Sequence, residues 1–184
     1  MYRCATLARD DGERTSGFRE TSERRGGTRG SAVRRRASPR RYDLGVNEPP
    51  IVPWSELRSR AHSAARRAYA PYSHVLVGAA ALTTSGSFVE GSNIENASYG
   101  LTLCAECSLV SDLARQGGGR LVALCVVAGD GEPLAPCGRC RQVLFEHAGA
   151  RLLIDQGERA HPLTLDDLLP HAFGPDDLAV RSTQ

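Results

Sequence analysis

The chain has 184 residues, 41% hydrophobic and 24% charged, which suits one compact domain of about 100–150 residues with a segment left over. All 23 basic residues are Arg: residues 1–50 hold 12 of them against 7 acidic residues, a net +5, and residues 51–184 hold 11 against 14, a net −3. The longest apolar run, Leu121–Ala128, has eight residues, far short of the ~18 of a membrane span.

The first thirty residues contain no apolar h-region, and Asp10, Asp11, Glu13, Glu20 and Glu23 are out of place in a transit peptide, so a cytoplasmic location is expected. Six cysteines without an export signal point to metal or catalysis rather than a disulfide frame. Residues 1–46, with Arg24-Arg25 and Arg34-Arg35-Arg36, few aliphatic residues and no periodicity, are expected to be a disordered extension. Met1 is the only methionine, which suggests a translation start nearer Val46. The catalytic domain is expected at 51–180.

Organisation begins after Pro49-Pro50. Leu57, Ala61, Ala64, Ala65 and Ala68 recur at helical spacing within Trp54–Tyr69, with Ser55 as the expected N-cap and Pro71 beyond. Val75–Leu82 and Phe88–Ile94 read as a hairpin of strands around Thr-Thr-Ser-Gly-Ser, and Leu103–Gln116 as a helix stopped by Gly117-Gly118-Gly119. Leu121–Ala128 reads as a buried strand, Cys137–His147 as a helix, Arg151–Ile154 as a short strand and Leu165–Leu169 as a helical turn. Strand–helix–strand crossovers impose parallel pairing and the hairpin is antiparallel. The expected fold is therefore α/β, a three-layer α/β/α sandwich around a mixed sheet of about five strands.

Two Cys-x-x-Cys pairs open helices: Cys104-Ala105-Glu106-Cys107 and, after Pro136, Cys137-Gly138-Arg139-Cys140. Four thiolates would make a closed structural zinc site, and with the Arg-rich tail such a module would serve nucleic-acid binding. Against this, both pairs start long amphipathic helices, the domain has length enough for a core of its own, and Glu106 has no place in a closed site. The alternative is three thiolates with an open fourth position, where zinc lowers the pKa of a water to roughly 7 and Glu106 handles its proton. Because each helical residue turns about 100°, Cys104 and Glu106 can face one water only if Cys104 lies at the non-helical start and Glu106 in the first turn. Helix N-termini also favour thiolates, so the two helices are expected to meet end to end across the metal.

C-A-E followed by P-C-x-x-C resembles the zinc deaminase signature. The stretches A-Y-A-P-Y-S-H-V-L-V-G-A at 68–79, G-S-N-I-E-N-A-S-Y-G-L at 91–101, P-C-G-R-C-R-Q-V-L at 136–144 and L-L-P-H-A-F-G-P-D-D-L at 168–178 narrow the resemblance to zinc-dependent cytidine deaminases of the small, homotetrameric type. The resemblance implies one zinc per subunit on Cys104, Cys137 and Cys140, and Glu106 as proton shuttle. The implied reaction is hydrolytic deamination of cytidine and deoxycytidine in pyrimidine salvage, by attack of the zinc-activated hydroxide at C4. It implies Asn93 and Glu95 as binders of ribose hydroxyls, Ala97 and Tyr99 close to substrate across a subunit contact, and Phe173 at a neighbouring site. A membrane or nucleic-acid partner is not expected; deamination of another aminated base or nucleoside is the alternative within the superfamily.

Two departures stand out. Relatives commonly carry Phe where this chain has Val75, a ring expected to pack on the pyrimidine. Many carry Arg where it has Cys107, and Arg139 or Arg141 is expected to supply the missing charge, since three thiolates and one zinc leave −1. Cys125 reads as a small core residue, Cys4 lies in the tail, and no His pair has ligand spacing.

Overall fold

The unbroken apolar run Leu121–Ala128 needs cover on both sides, and in the computed structural model, which describes residues 51–179, it is the central strand of a five-stranded sheet. The expected extension, residues 1–46, lies outside the described residues. In chain order the elements are α1 (Trp54–Ala65), β1 (Val77–Thr83), β2 (Phe88–Ser92), a 3-10 turn (Tyr99–Leu101), α2 (Ala105–Arg115), β3 (Leu121–Ala128), α3 (Gly138–Ala148), β4 (Leu153–Ile154), β5 (Leu163–Thr164), α4 (Leu165–Leu168) and α5 (Pro175–Ala179). The strand order is β2-β1-β3-β4-β5. The hairpin β1–β2 is antiparallel, as are β1–β3 and β4–β5, and β3–β4 is parallel, so the mixed sheet takes its parallel pair from the crossover through α3. Among the described residues no helix is long and apolar enough to cross a membrane.

Strand alternation divides the core into two layers. Ala80 and Leu82 of β1 and Ala123, Cys125 and Val127 of β3 pack with Leu57 and Ala61 of α1. Ala79 and Ala81, Val89 of β2, and Leu124 and Val126 pack on the opposite face with Leu109 and Leu113 of α2 and Leu144 of α3. Where Leu82 pairs with Ala123 and Thr83 with Leu121, the register slips by one residue and Val122 joins Ala123 on the α1 side.

Several boundaries differ from the sequence expectation for reasons of tertiary pairing. The first helix ends at Ala65 rather than Tyr69, because the Tyr69 N–H donates to the Asn93 carbonyl at 3.0 Å and its own carbonyl accepts from Glu95 N–H at 2.8 Å. Its N-cap is Pro53 without a side-chain bond, not Ser55. Leu103 precedes α2 in an isolated bridge to Ile94. The C-terminus of α2 closes as the three glycines suggest: Gly117 N–H reaches Ala114 O at 3.1 Å and Gly118 N–H reaches Leu113 O at 2.9 Å, with Gly117 at φ 102°. Strand β5 and helix α5, two and five residues long, carry no readable pattern of their own.

Two glycines set the distance between layers. A Cβ on Gly78 would stand 2.0 Å from the Ala61 carbonyl oxygen of α1, and one on Gly91 would stand 2.3 Å from both Ala105 O and Leu109 N of α2. These obstacles are backbone, so a side chain at Gly91 must push α2 off the sheet together with Cys104 and Glu106. Gly91→Ala is expected to lose about 2 kcal/mol of stability by chemical denaturation, whereas Gly100→Ala, with open space around it, should stay within about 0.5 kcal/mol. Equal stabilities for the two variants would contradict this packing.

Candidate metal centre and active site

Cys104 is the N-cap residue of α2 and Cys137 that of α3, both with extended backbone, so each thiol sits at the mouth of a helix. The N-termini converge: Cys104 Sγ lies 3.9 Å from Cys137 Sγ, and Cys137 Sγ lies 3.5 Å from Cys140 Sγ in the first turn of α3. All three sulfurs fall within 4.8 Å of one another. A tetrahedral zinc with bonds near 2.3 Å spaces its sulfurs by about 3.8 Å, so the donor set fits zinc. Cys107 does not join this group; it flanks Cys104 on the side where Arg139 lies.

Glu106, in the first turn of α2, is 4% exposed. Burial pushes its carboxyl above the usual carboxylate range, outweighing its own backbone amide, a bond from the Cys140 thiol and the Arg139 charge. Burial and the Glu106 carboxylate likewise push the Cys140 thiol far up. Burial raises the Cys104 thiol too; burial also opposes the Cys137 thiolate, but donors from Cys140 overcome it and hold that thiol below its ordinary value. A bound divalent cation would reverse the unfavourable part of this balance, because a ligating thiol loses its proton outright.

The two arginines of this segment separate in function. Arg139 Nη2 donates to the Thr102 carbonyl at 3.1 Å and points at Cys104 Sγ, 3.6 Å away, and Cys107 Sγ, 3.9 Å away. Arg141 turns elsewhere: its Nε donates to Pro136 O and its Nη1 to Leu168 O, both at 2.8 Å. It therefore clips the loop before Cys137 to the end of α4. Its place in the C-R-Q stretch gave no sign of that structural bond.

Beyond β2, Asn93 is buried and brackets the start of β1. Its Oδ1 accepts from Val77 N–H at 2.8 Å and its Nδ2 donates to Val75 O at 2.9 Å. Glu95 Oε2 accepts from the N–H groups of Tyr72 and Ser73 at 2.9 and 3.2 Å, and its Oε1 accepts from the Ser73 hydroxyl. That hydroxyl, more than the backbone donors, holds the Glu95 carboxyl below its ordinary value. Counting lone pairs, each of these side chains keeps spare capacity: one N–H and one acceptor site on Asn93, one acceptor site on Glu95 Oε1.

Val75, half exposed, lies in the segment these two residues hold, and Tyr99 stacks edge-on against Tyr72 with ring centroids 6.0 Å apart. Ala97 lies exposed in the loop between Glu95 and the 3-10 turn. Phe173 belongs to a different segment, tied to α3 by the Gln142 amide, which donates to its carbonyl at 2.7 Å. Tyr72 and Ser73 escaped sequence reasoning. Their signal was the Pro-Tyr-Ser turn after the first helix, but its partner, Glu95, is 22 residues away.

Three thiols and a buried carboxyl gathered at two helix mouths, on an α/β/α sandwich, define a zinc-dependent deaminase. Residues 54–154 match the family model described as the cytidine and deoxycytidylate deaminase zinc-binding region. Over 129 residues, 70% of this chain and 96% of the relative, the sequence is 60% identical to the cytidine deaminase of Mycobacterium tuberculosis strain H37Rv. It is 44% identical to that of Halalkalibacterium halodurans over 60% of this chain and 86% of the relative. The crystal structure of cytidine deaminase from M. tuberculosis superposes with a TM-score of 0.64 at 58% identity, covering 67% of this chain and 98% of that one. The chain belongs to the cytidine deaminase family, and its cofactor is zinc.

The geometry separates Cys107 from the three-sulfur cluster. Cys107→Ser is expected to retain one zinc per chain by elemental analysis, with three sulfur neighbours in X-ray absorption, while Cys137→Ser loses most of its metal. Four sulfurs around zinc in the parent protein would refute this assignment.

Proposed function

We propose that residues 51–180 form a catalytic domain that deaminates cytidine and deoxycytidine hydrolytically to uridine and deoxyuridine, releasing ammonia, as a step of pyrimidine salvage. The observation that carries this reading is the buried Glu106 carboxyl bonded by the Cys140 thiol, itself one of three sulfurs within 4.8 Å of one another. Zinc held by Cys104, Cys137 and Cys140 supplies a Lewis acid that makes water a nucleophile at neutral pH.

Glu106 moves the protons. Burial raises its pKa, which favours a carboxyl group that serves as base and then as acid. It takes a proton from the attacking water as oxygen bonds to C4 and passes it to ring N3. It then takes the remaining proton of the C4 hydroxyl and gives it to the amino group, so that the C4–N bond breaks, the C4 carbonyl forms and ammonia leaves. Asn93 and Glu95 bind the ribose hydroxyls. Glu95, kept ionised by Ser73, offers Oε1 as an acceptor, and Asn93 offers its second N–H. Ala97 and Tyr99 stand close to substrate across a subunit contact, and Phe173 at a neighbouring site.

The proposal includes a homotetramer. Its support is a run of exposed apolar side chains beside the site: Tyr69, Ile94 and Leu103 joined by bridges, and Tyr99 and Leu101, 73% and 66% exposed, next to them. A cytoplasmic location is part of the same reading, supported by free cysteines that an oxidising compartment would tend to pair.

Loss of cytidine absorbance on incubation with the zinc-loaded protein tests the activity, with deoxycytidine in parallel. Glu106→Ala is expected to lower kcat by about 10³-fold; an active Glu106→Ala enzyme, or an inert parent, would defeat the reading. In the same assay Val75→Phe, by restoring a stacking ring, is expected to lower KM by about threefold to tenfold, and an unchanged KM would remove Val75 from the base site. Light scattering is expected to give four times the chain mass, and a monomer would exclude the tetramer.

A further inference from the structure

Resting on the zinc-dependent reading, the charge balance at the centre poses a problem that one side chain answers. Three ligating thiolates around a divalent ion leave −1, and an ionised Glu106 adds to it, with burial weakening solvent screening at Cys140 and Glu106. The two helix N-termini offset part of this through their free N–H groups. Among the described residues, the guanidinium in contact with a ligand sulfur is that of Arg139. It is fixed there by the Thr102 carbonyl, two residues before Cys104, so its aim at Cys104 Sγ does not depend on the long side chain finding one rotamer unaided.

We propose that Arg139 is the positioning residue of the thiolate centre, donating to Cys104 Sγ so as to hold that ligand and withdraw electron density from it. The cation approaches from the first turn of α3, and the side chain that faces it from the first turn of α2 is Cys107, 3.9 Å away. The two positions thus share one small space, and a guanidinium rooted at either could reach Cys104. Arg141 is excluded because both of its recorded bonds go to carbonyls.

The test uses the protein loaded with cobalt(II), whose sulfur-to-metal charge-transfer band reports the donor strength of the thiolates without reference to substrate. Loss of a hydrogen bond to a thiolate raises its donor level. Arg139→Ala is therefore expected to move that band to longer wavelength. In the zinc enzyme it is expected to lower kcat for cytidine by about tenfold or more, with KM within about twofold. The paired variant Cys107→Arg with Arg139→Ala is expected to return both band and kcat most of the way to the parent's values.

A band and kcat unchanged in Arg139→Ala would overturn the proposal, as would a loss confined to KM or a paired variant no better than the single one. Should Arg139→Ala fail to hold metal, the paired variant decides: metal at parent stoichiometry supports the proposal, and its absence refutes it. A parent protein that binds cobalt but leaves cytidine unchanged would instead refute the deaminase reading, while the band shift would still judge Arg139.

Discussion

Three sulfurs within 4.8 Å of one another, each to carry negative charge, are an arrangement that a folded chain does not tolerate unaided. Much of the surrounding structure makes it tolerable. Both helices present their N-termini to the cluster, Cys104 and Cys137 occupy the cap positions where free N–H groups are concentrated, and Arg139 lies against the Cys104 sulfur. The helices can converge so tightly because their other ends are committed elsewhere. Leu109 and Leu113 of α2 and Leu144 of α3 share one core layer on the same face of the sheet. Gly91 permits α2 to lie with its backbone on β2, which sets the depth at which Glu106 is buried.

What could be read in the sequence follows from how local each signal is. Strand β3 runs over the eight residues of its apolar stretch, because a strand covered on both faces needs no partner to reveal its pattern. Cys-x-x-Cys spacing at two helix starts marked the segments that bring three sulfurs together, while the choice of Cys104 over Cys107 came from the resembling motif. Asn93 and Glu95 stood out only as members of a resembling motif. Their bonds to Val75, Val77, Tyr72 and Ser73 span 16 to 23 residues, and no periodicity encodes such distances. The shortened first helix has the same origin. Tyr69 has helical spacing behind it, yet two backbone bonds to the segment beyond β2 outweigh one further helical turn.

The second layer carries a bond that plays no part in the chemistry and still bears on the sheet. Arg58 of α1 reaches Asp155, just past β4, with two bonds of 2.7 Å. Burial opposes the aspartate charge, but the guanidinium overrides it and keeps the carboxyl below its ordinary value. A depressed carboxyl stabilises the fold above its unfolded pKa and loses that contribution as pH falls through the folded one, so this tie between α1 and the far half of the sheet weakens only in acid. The thiol of Cys125 donates to the same carboxylate, and burial with that neighbouring charge drives the thiol far above its ordinary value. Cys125 is thus a buried core thiol held to the Asp155 carboxylate, apart from the four cysteines at the helix mouths.

On the proposed reading, Asn93 and Glu95 have two duties that cannot be separated. The atoms that hold the 72–77 segment belong to the same amide and carboxylate whose remaining N–H and lone pairs would meet the ribose. Val75, the side chain proposed to face the base, hangs in that segment by its own carbonyl bond to Asn93. A ribose hydroxyl donating to Glu95 Oε1 would compete for the oxygen that Ser73 uses, and would be accepted only because a carboxylate oxygen has two lone pairs. Sugar binding therefore presses on the loop that carries the base contact, and the two halves of a nucleoside would be sensed together. A free base, lacking the hydroxyls, would leave the loop's geometry to Ser73 and Asn93 alone and forfeit that coupling, which is the physical reason to expect a nucleoside rather than a nucleobase in this site.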